Sequence, residues 1–250
     1  MPRTFYAFLI FLFAVQFSYA ADALPGKKCP ELVKLIWKNG FRPIEKPPPP
    51  RAPQSLDPQA KWNLLGSGIM GGTVYRVTPN DGRASYVIKL YNSRKVLDND
   101  LKVLEILKSA FVQANVSPPF GIIGHEKIEP RIVKLTDHKG TTVSAAYEQL
   151  NGPGRRQLAE DYNTRVGQAL TLLEAWAAQE SKQERKTEIL PDLEPDEKKR
   201  EDIKANRVLR STSGTIVQTV GSEKTIRNFT FKPDNFVVDE EGAIYLIDPF

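Results

Sequence analysis

Two polar side chains near the end of the sequence, Asn235 and Asp248, have types and a spacing that suit a magnesium site. Lys232-Pro233-Asp234-Asn235 is followed by two short apolar runs and then by Asp248-Pro249-Phe250. A hairpin formed by the two runs would bring a carboxamide and a carboxylate to one point. Mg²⁺ prefers oxygen ligands and is often held by one or two side chains together with substrate phosphates. The pattern therefore indicates a site for a magnesium-bound phosphate chain.

A second group of residues could meet phosphates from the opposite side. Gly66, Gly68 and Gly71 lie between two strand-like runs, and glycines allow backbone amides to approach negative charge closely. Lys89 lies in an otherwise apolar strand, where burial of its ammonium would be costly without an anion. Two alternatives stay open, because the glycines could form only a tight hairpin and Lys89 could face solvent. The glycines match neither the dinucleotide fingerprint nor the P-loop, since no helix and no Gly-Lys-Ser/Thr follow them.

A lysine that binds phosphates is usually held by a carboxylate. The helix predicted over residues 98–109 offers Glu105 and Asp100. Glu105 is ranked first because its distance along the chain from Lys89 suits the pairing better, and Asp100 is the alternative. Either residue could also be an ordinary acid on a helix surface.

Five segments in this order resemble those of the protein-kinase-like superfamily, which includes aminoglycoside- and choline-type phosphotransferases. The resemblance covers about residues 62–250. It rests on Leu65-Gly66-Ser67-Gly68 with Thr73-Val74-Tyr75 (Gly-rich loop), Tyr86-Val87-Ile88-Lys89 (lysine strand), Tyr147-Glu148-Gln149-Leu150-Asn151-Gly152 (hinge), Lys232-Pro233-Asp234-Asn235 (catalytic loop), and Asp248-Pro249-Phe250 in place of Asp-Phe-Gly.

The resemblance implies ATP and Mg²⁺ as cofactors and a role for each matching residue. By this resemblance, Gly66, Gly68 and Gly71 would cover the phosphates, and Lys89, held by Glu105 or Asp100, would pair with them. The backbone near Glu148 to Leu150 would hydrogen-bond adenine. Asn235 and Asp248 would hold magnesium, and Lys232 would neutralise the transferred phosphoryl group.

One departure from the family leaves the activity open. Thr230 stands where the catalytic Asp is expected, and a hydroxyl cannot usefully accept a proton at neutral pH. The chain could therefore be a kinase-like enzyme that transfers a phosphoryl or nucleotidyl group to an unknown acceptor. It could equally be a pseudokinase that binds a nucleotide or a partner protein. A binding module unrelated to kinases is a third reading.

The expected fold is α+β and kinase-like, with an antiparallel-sheet N-lobe carrying one helix and a reduced, mainly helical C-lobe that ends in a β-hairpin. The N-lobe is placed at 61–150 and the C-lobe at 151–250. Apolar periodicity predicts the helix 98–109 and a long helix over 155–180. Further expectations are strands near 126–136 and 142–149, a charged helix-loop insertion at 181–210, and a segment at 211–226 that is ambiguous between strand and loop.

The remaining sequence points to an exported protein. Residues 1–20 read as a signal peptide, with Arg3, an apolar stretch and small residues before Ala21. Residues 21–60 are expected to form a tether with one possible short helix and a proline-rich linker. The apolar face of that helix would consist of Leu32, Leu35, Ile36 and Trp37. Export to a periplasm or out of the cell follows, without stable membrane insertion after cleavage. The net charge of +5 includes no basic block interleaved with aromatics, which argues against nucleic-acid binding, and the single cysteine excludes an intrachain disulfide.

Overall fold

The computed structural model describes residues 24–38, 55–68, 72–181, 186–192 and 194–249. The predicted signal peptide, most of the proline-rich linker, Gly71 and Phe250 lie outside these ranges. The described residues form a mixed α+β structure of three sheets and five α-helices. Within these ranges, no helix combines the length and the apolar character that crossing a bilayer requires.

The first sheet is antiparallel and has the strand order β1-β2-β3-β6-β5. Its strands are β1 (Lys61–Gly68), β2 (Gly72–Thr78), β3 (Tyr86–Leu90), β5 (His125–Glu129) and β6 (Ile132–Thr136). Helix α2 (Arg94–Gln113) follows β3 and contains the predicted helix 98–109. Ser93 caps its N-terminus, because the side-chain oxygen accepts a hydrogen bond from the Val96 amide at 3.2 Å.

The second half of the chain combines helices with two further sheets. The helices are α3 (Val143–Gln149), α4 (Gly152–Glu180) and α5 (Glu197–Lys204). One sheet has the order β4-β12-β11-β7, built from β4 (Gly121–Ile122), β7 (Gly140–Thr142), β11 (Phe236–Asp239) and β12 (Ile244–Leu246). The other has the order β10-β9-β8, built from β8 (Lys186–Pro191), β9 (Thr212–Val220) and β10 (Glu223–Phe231). All strand pairs are antiparallel except β4 with β12.

Some predicted elements are confirmed and others are wrong. The long helix and the closing hairpin β11–β12 are present. Residues 142–149, predicted as a strand, are mostly helical, because Thr142 accepts a hydrogen bond from the Ala145 amide and helix-forming residues follow. The predicted helix-loop insertion contains strand β8, and the ambiguous segment 211–226 contributes to strands β9 and β10. The second half is therefore richer in strands than the expected helical lobe.

Residues 24–38 are part of the folded body, although a tether was expected there. They contain helix α1 (Pro30–Leu32), which continues as a π-helical turn over Val33–Trp37. Leu32 and Ile36 are almost fully buried in the main core. Leu24 forms a β-bridge with Ile122, and Lys28 forms another with Ala243. The apolar spacing of this segment thus reflects packing against the second half of the chain.

Candidate functional site

Lys89 is buried at the centre of the first sheet. Strand β3 pairs with β2 and β6, so that Lys89 lies between Val74 and Val133. Its residue exposure is only 1%. The Nζ atom lies 2.8 Å from Asp248 Oδ2 and 3.2 Å from Asp100 Oδ2. The outward-facing alternative is therefore excluded, and two carboxylates, one from α2 and one after β12, contact the ammonium group.

Asp100, and not the first-ranked Glu105, is the helical partner of Lys89. Asp100 is fully buried, whereas Glu105 is exposed and pairs with Lys102 at 3.0 Å. Five residues on an α-helix correspond to a rotation of about 140°, so the two acids lie on different faces. Asp100 replaces an apolar residue in the buried stripe of α2 that also contains Leu97, Leu104 and Leu107. This interruption of the apolar stripe is the sequence signal that could have identified Asp100 as the buried partner of Lys89.

The charges around Lys89 do not cancel. Burial is the main cause that raises the pKa of Asp100 to about 6; the nearby Asp248 also raises it, and Lys89 only partly offsets both. The Tyr91 ring centroid lies 4.3 Å from Lys89 Nζ, a cation–π contact. Burial, followed by the two carboxylates, raises the pKa of Tyr91 well above its usual value. The cluster carries one excess negative charge when both acids are ionised.

The structure brings the segments of Asn235 and Asp248 together, as the hairpin predicts. Asn235 ends a 3₁₀ turn over Pro233–Asn235, and its carbonyl accepts a hydrogen bond from the Ile247 amide at 2.9 Å. Its side-chain amide donates to the Thr230 carbonyl at 3.3 Å. The Asp248 side chain is partly accessible, with 22% exposure. Lys232 is exposed at the start of the same turn.

Thr230 occupies a structural position at the end of β10. It is 8% exposed, and its amide donates a hydrogen bond of 2.5 Å to the Pro249 carbonyl. This bond fixes the segment that carries Asp248 next to the edge of β10. The residue thus shapes the site through its backbone, and its side chain supplies no carboxylate.

The glycine-rich segment connects β1 with β2. Gly66 follows a register shift in β1, and Gly68 pairs with Gly72 across the hairpin. The predicted contribution of Gly71 lies outside the described residues. Gly72, which received no role from the sequence, has φ +96°, and a Cβ there would lie 1.8 Å from the Leu90 carbonyl oxygen. A glycine is therefore required where the start of β2 approaches the end of β3, next to Lys89.

The structure places Glu148 and Leu150, which were predicted to form an interlobe hinge, in helix α3 and at its C-terminal cap. The Glu148 carbonyl accepts from Arg155 Nη2 at 2.8 Å, and the Leu150 amide donates to the Tyr147 carbonyl. The extended connection between the first sheet and β7 is formed instead by residues 137–139. There, the His138 ring stacks on Tyr245 with a centroid distance of 3.7 Å.

Apolar side chains line the region between the first sheet and β12. Leu65, Val74 and Ile247 are partly buried and pack against a cluster of fully buried residues. The members of that cluster are Val87, Tyr91, Leu97, Ile123, Val133 and Leu135. The sequence motifs did not identify Leu65, Val74 or Ile247 as site residues, although all three lie beside the charged side chains of the site. They provide an apolar surface beside Lys89 and Asp248.

A separate groove of about 520 Å³ lies away from Lys89, on the other side of α2. It runs between α2, α4 and β9 and is lined by residues that include Glu105 and Trp176. Its position places Glu105 on this groove and not beside the buried lysine.

The donor set near Asp248 suits magnesium. Asn235 and Asp248 offer oxygen ligands of the kind that Mg²⁺ accepts, and two protein ligands suffice when phosphates and water complete the octahedron. In the described ranges, no group of three His, Cys, Asp or Glu side chains could hold a metal ion by itself. The residues present therefore fit a metal that arrives with a phosphate-bearing ligand better than a metal held by protein alone.

No protein-family model matches this chain, and a sequence search against curated proteins gives no match.

Proposed function

We propose that the chain binds magnesium-ATP between the first sheet and the hairpin β11–β12. The observation that carries the proposal is the buried Lys89 ammonium, held by Asp100 from α2 and by Asp248 after β12. Burying an ammonium and two carboxylates is costly, and ionisable groups in such perturbed surroundings cluster at functional sites. The kinase-like order of the sequence motifs supports the same assignment.

Each chemical group has a role in this proposal. Lys89 pairs with the phosphates, and the backbone of Gly66 and Gly68 covers them. Asn235 and Asp248 hold magnesium, which supplies charge neutralisation to the phosphate chain. Lys232, exposed at the rim, approaches the terminal phosphate.

The base would lie on the apolar surface formed by Leu65, Val74 and Ile247. The backbone of residues 137–139 supplies hydrogen bonds to its edge, in place of the predicted Glu148 and Leu150. Aromatic and aliphatic surfaces with a few backbone donors and acceptors are typical of such sites.

Binding requires a local rearrangement, because Lys89 Nζ is enclosed between Asp100 and Asp248. Asp248 is the more accessible of its two partners, with 22% exposure against 0% for Asp100. In the proposed complex, Asp248 turns from Lys89 to the metal, and Asp100 remains as the partner of Lys89. The excess negative charge of the cluster favours this exchange.

A second form of this proposal is nucleotide binding without turnover, and the presence of Thr230 favours it. Its position at the end of β10 places no carboxylate where a general base would act, and Asp234 is exposed on the neighbouring turn. Positioning and charge neutralisation nevertheless supply most of phosphoryl-transfer catalysis. A phosphotransferase with an unidentified acceptor and a nucleotide-binding pseudokinase therefore share one site and differ in turnover.

Thermal unfolding with nucleotide tests the binding site. Magnesium-ATP at millimolar concentration should raise the melting temperature of the protein, since a ligand that binds the folded state stabilises it by mass action. Lys89→Ala and Asp248→Asn should each abolish the shift. Lys134→Ala, on the neighbouring strand β6, is the matched control and should keep it. A wild-type protein that does not respond would contradict the proposed nucleotide site.

Incorporation of label from γ-³²P-ATP and from α-³²P-ATP separates transfer from binding. A phosphoryl transferase labels an acceptor only from the γ-phosphate, a nucleotidyl transferase from the α-phosphate, and a pseudokinase from neither. Asp248→Asn should remove any labelling. Labelling that persists in this variant would exclude the metal role of Asp248.

A further inference from the structure

Within the part of the chain that the structure describes, the outer edge of β10 pairs with no other strand. Two residues of β10 use that edge to bind other elements. Residues 228 and 230 point their backbone groups to the same side, because alternate residues of an antiparallel strand do so. The Thr230 amide donates to the Pro249 carbonyl at 2.5 Å, next to Asp248. Asn228 binds helix α2, next to Asp100.

The contact at Asn228 is a pair of hydrogen bonds to a single side chain. Asn99 Nδ2 donates to the Asn228 carbonyl at 2.9 Å, and the Asn228 amide donates to Asn99 Oδ1 at 3.1 Å. A carboxamide can satisfy both groups of one peptide residue because it carries a donor and an acceptor side by side. Asn99 thus replaces the missing neighbouring strand at this point of the edge.

We propose that Asn99 is a positioning residue for the Lys89 site, because its two bonds to the β10 backbone hold α2 where Asp100 meets Lys89. Asp100 directly follows Asn99, so any movement of the helix away from β10 also moves Asp100. The neighbouring bond from Thr230 to Pro249 holds Asp248 at the same edge. The edge of β10 therefore aligns the two acids that reach Lys89 from opposite sides.

The role assigned to Asn99 in nucleotide binding rests on the proposed function, whereas its effect on Lys89 does not. Asn99→Ala removes both hydrogen bonds and places a better helix former at an interior position of α2. The helix itself is therefore not weakened. Asn228→Ala is the matched control, because Asn228 contributes only its backbone to the contact with Asn99.

Chemical acylation of lysines, followed by mass spectrometry, measures the predicted effect directly. Asn99→Ala should raise the modification rate of Lys89 by about five-fold to ten-fold, which corresponds to the net contribution of one to two hydrogen bonds. The exposed Lys102 on the same helix serves as the internal reference and should not change. Asn228→Ala should keep the wild-type rate at Lys89.

Amide hydrogen exchange and ATP titration complete the test. Exchange at residue 228 should become faster in Asn99→Ala, and the dissociation constant for magnesium-ATP should rise by a similar factor. An unchanged Lys89 rate in Asn99→Ala, or an equal increase in Asn228→Ala, would overturn the proposal. If wild-type protein fails to bind ATP, the proposed function fails, and lysine acylation alone decides the role of Asn99.

Discussion

The cluster of Lys89, Asp100 and Asp248 has a protonation equilibrium that should appear in the stability of the protein. The pKa of Asp100 is about 6 in the folded protein, above its ordinary value of 3.8. The folded state therefore binds a proton at a higher pH than the unfolded chain does. The stability contributed by this group is fully present below about pH 4 and is lost as the pH rises through 6.

Replacement of Asp100 by Asn should remove this contribution. Between pH 4 and pH 7, the stability of wild-type protein relative to Asp100→Asn should fall by an amount on the order of 2 kcal/mol. Urea unfolding at a series of pH values measures the difference. Glu105→Gln is the matched control, because Glu105 is exposed, and its profile should follow wild type. Parallel profiles for wild type and Asp100→Asn would show that Asp100 does not titrate in this window.

At the residue scale, the sequence predicted two members of the buried charged cluster and ranked the wrong acid first as the third. Lys89 and Asp248 were selected as site residues, and the structure places them in direct contact. Glu105 was the wrong partner because distance along the chain does not decide which residues of a helix face Lys89. The position of each residue around the helix axis decides it, and that position favours Asp100. A charged residue within an apolar stripe at spacings of three and four is the stronger signal of a buried partner.

At the element scale, the close approach of the start of β2 to the end of β3 depends on one glycine. Gly72→Ala should destabilise the protein by at least about 3 kcal/mol, because a Cβ would overlap the Leu90 carbonyl and φ is positive. Gly82→Ala is the matched control, since Gly82 also has a positive φ, +80°, but meets nothing within 4 Å. It should cost only about 1 kcal/mol.

Thermal or urea unfolding of the two variants provides the comparison. The difference between them isolates the steric contact from backbone strain, since both share the unfavourable φ. Equal losses of stability would show that the approach of β2 to Leu90 is looser than described.

Elements with a clear apolar period were predictable, and elements stabilised by distant contacts were not. Helices α2 and α4 carry long, mainly apolar stripes, which local sequence reveals. Helix α3 lies where a strand was expected, because the Thr142 cap outweighs a short pattern. Strand β8 lies in a charged segment and forms by pairing with β9, a partner that local sequence does not show.

At the scale of the whole molecule, residues 24–38 should contribute strongly to stability. Leu32 is fully buried in the main core, so Leu32→Ala should cost about 2–5 kcal/mol. Val112→Ala is the matched control, because Val112 is 63% exposed, and it should change stability by less than about 0.5 kcal/mol. A Leu32→Ala variant as stable as wild type would show that this segment detaches without loss.

The division between tether and domain was the main error at this scale. The proline run suggested that everything before Trp62 lay outside the fold, yet Trp37 Nε1 donates to the carbonyl of Asp239. A proline-rich composition indicates a linker only for the proline-rich residues themselves, and not for the residues that precede them. The segment before the linker has a small apolar face, but its contact with Asp239 lies too far along the chain for a local pattern to identify.

The β-bridge between Lys28 and Ala243 has a consequence for how the chain acquires its structure during synthesis. A ribosome delivers residues 24–38 well before β11 and β12. The contact of Lys28 with Ala243 therefore cannot form until the hairpin β11–β12 has emerged. Contacts of such long sequence separation form slowly, because the intervening loop must be closed first. This part of the core can thus be completed only after a long stretch of chain has been synthesised.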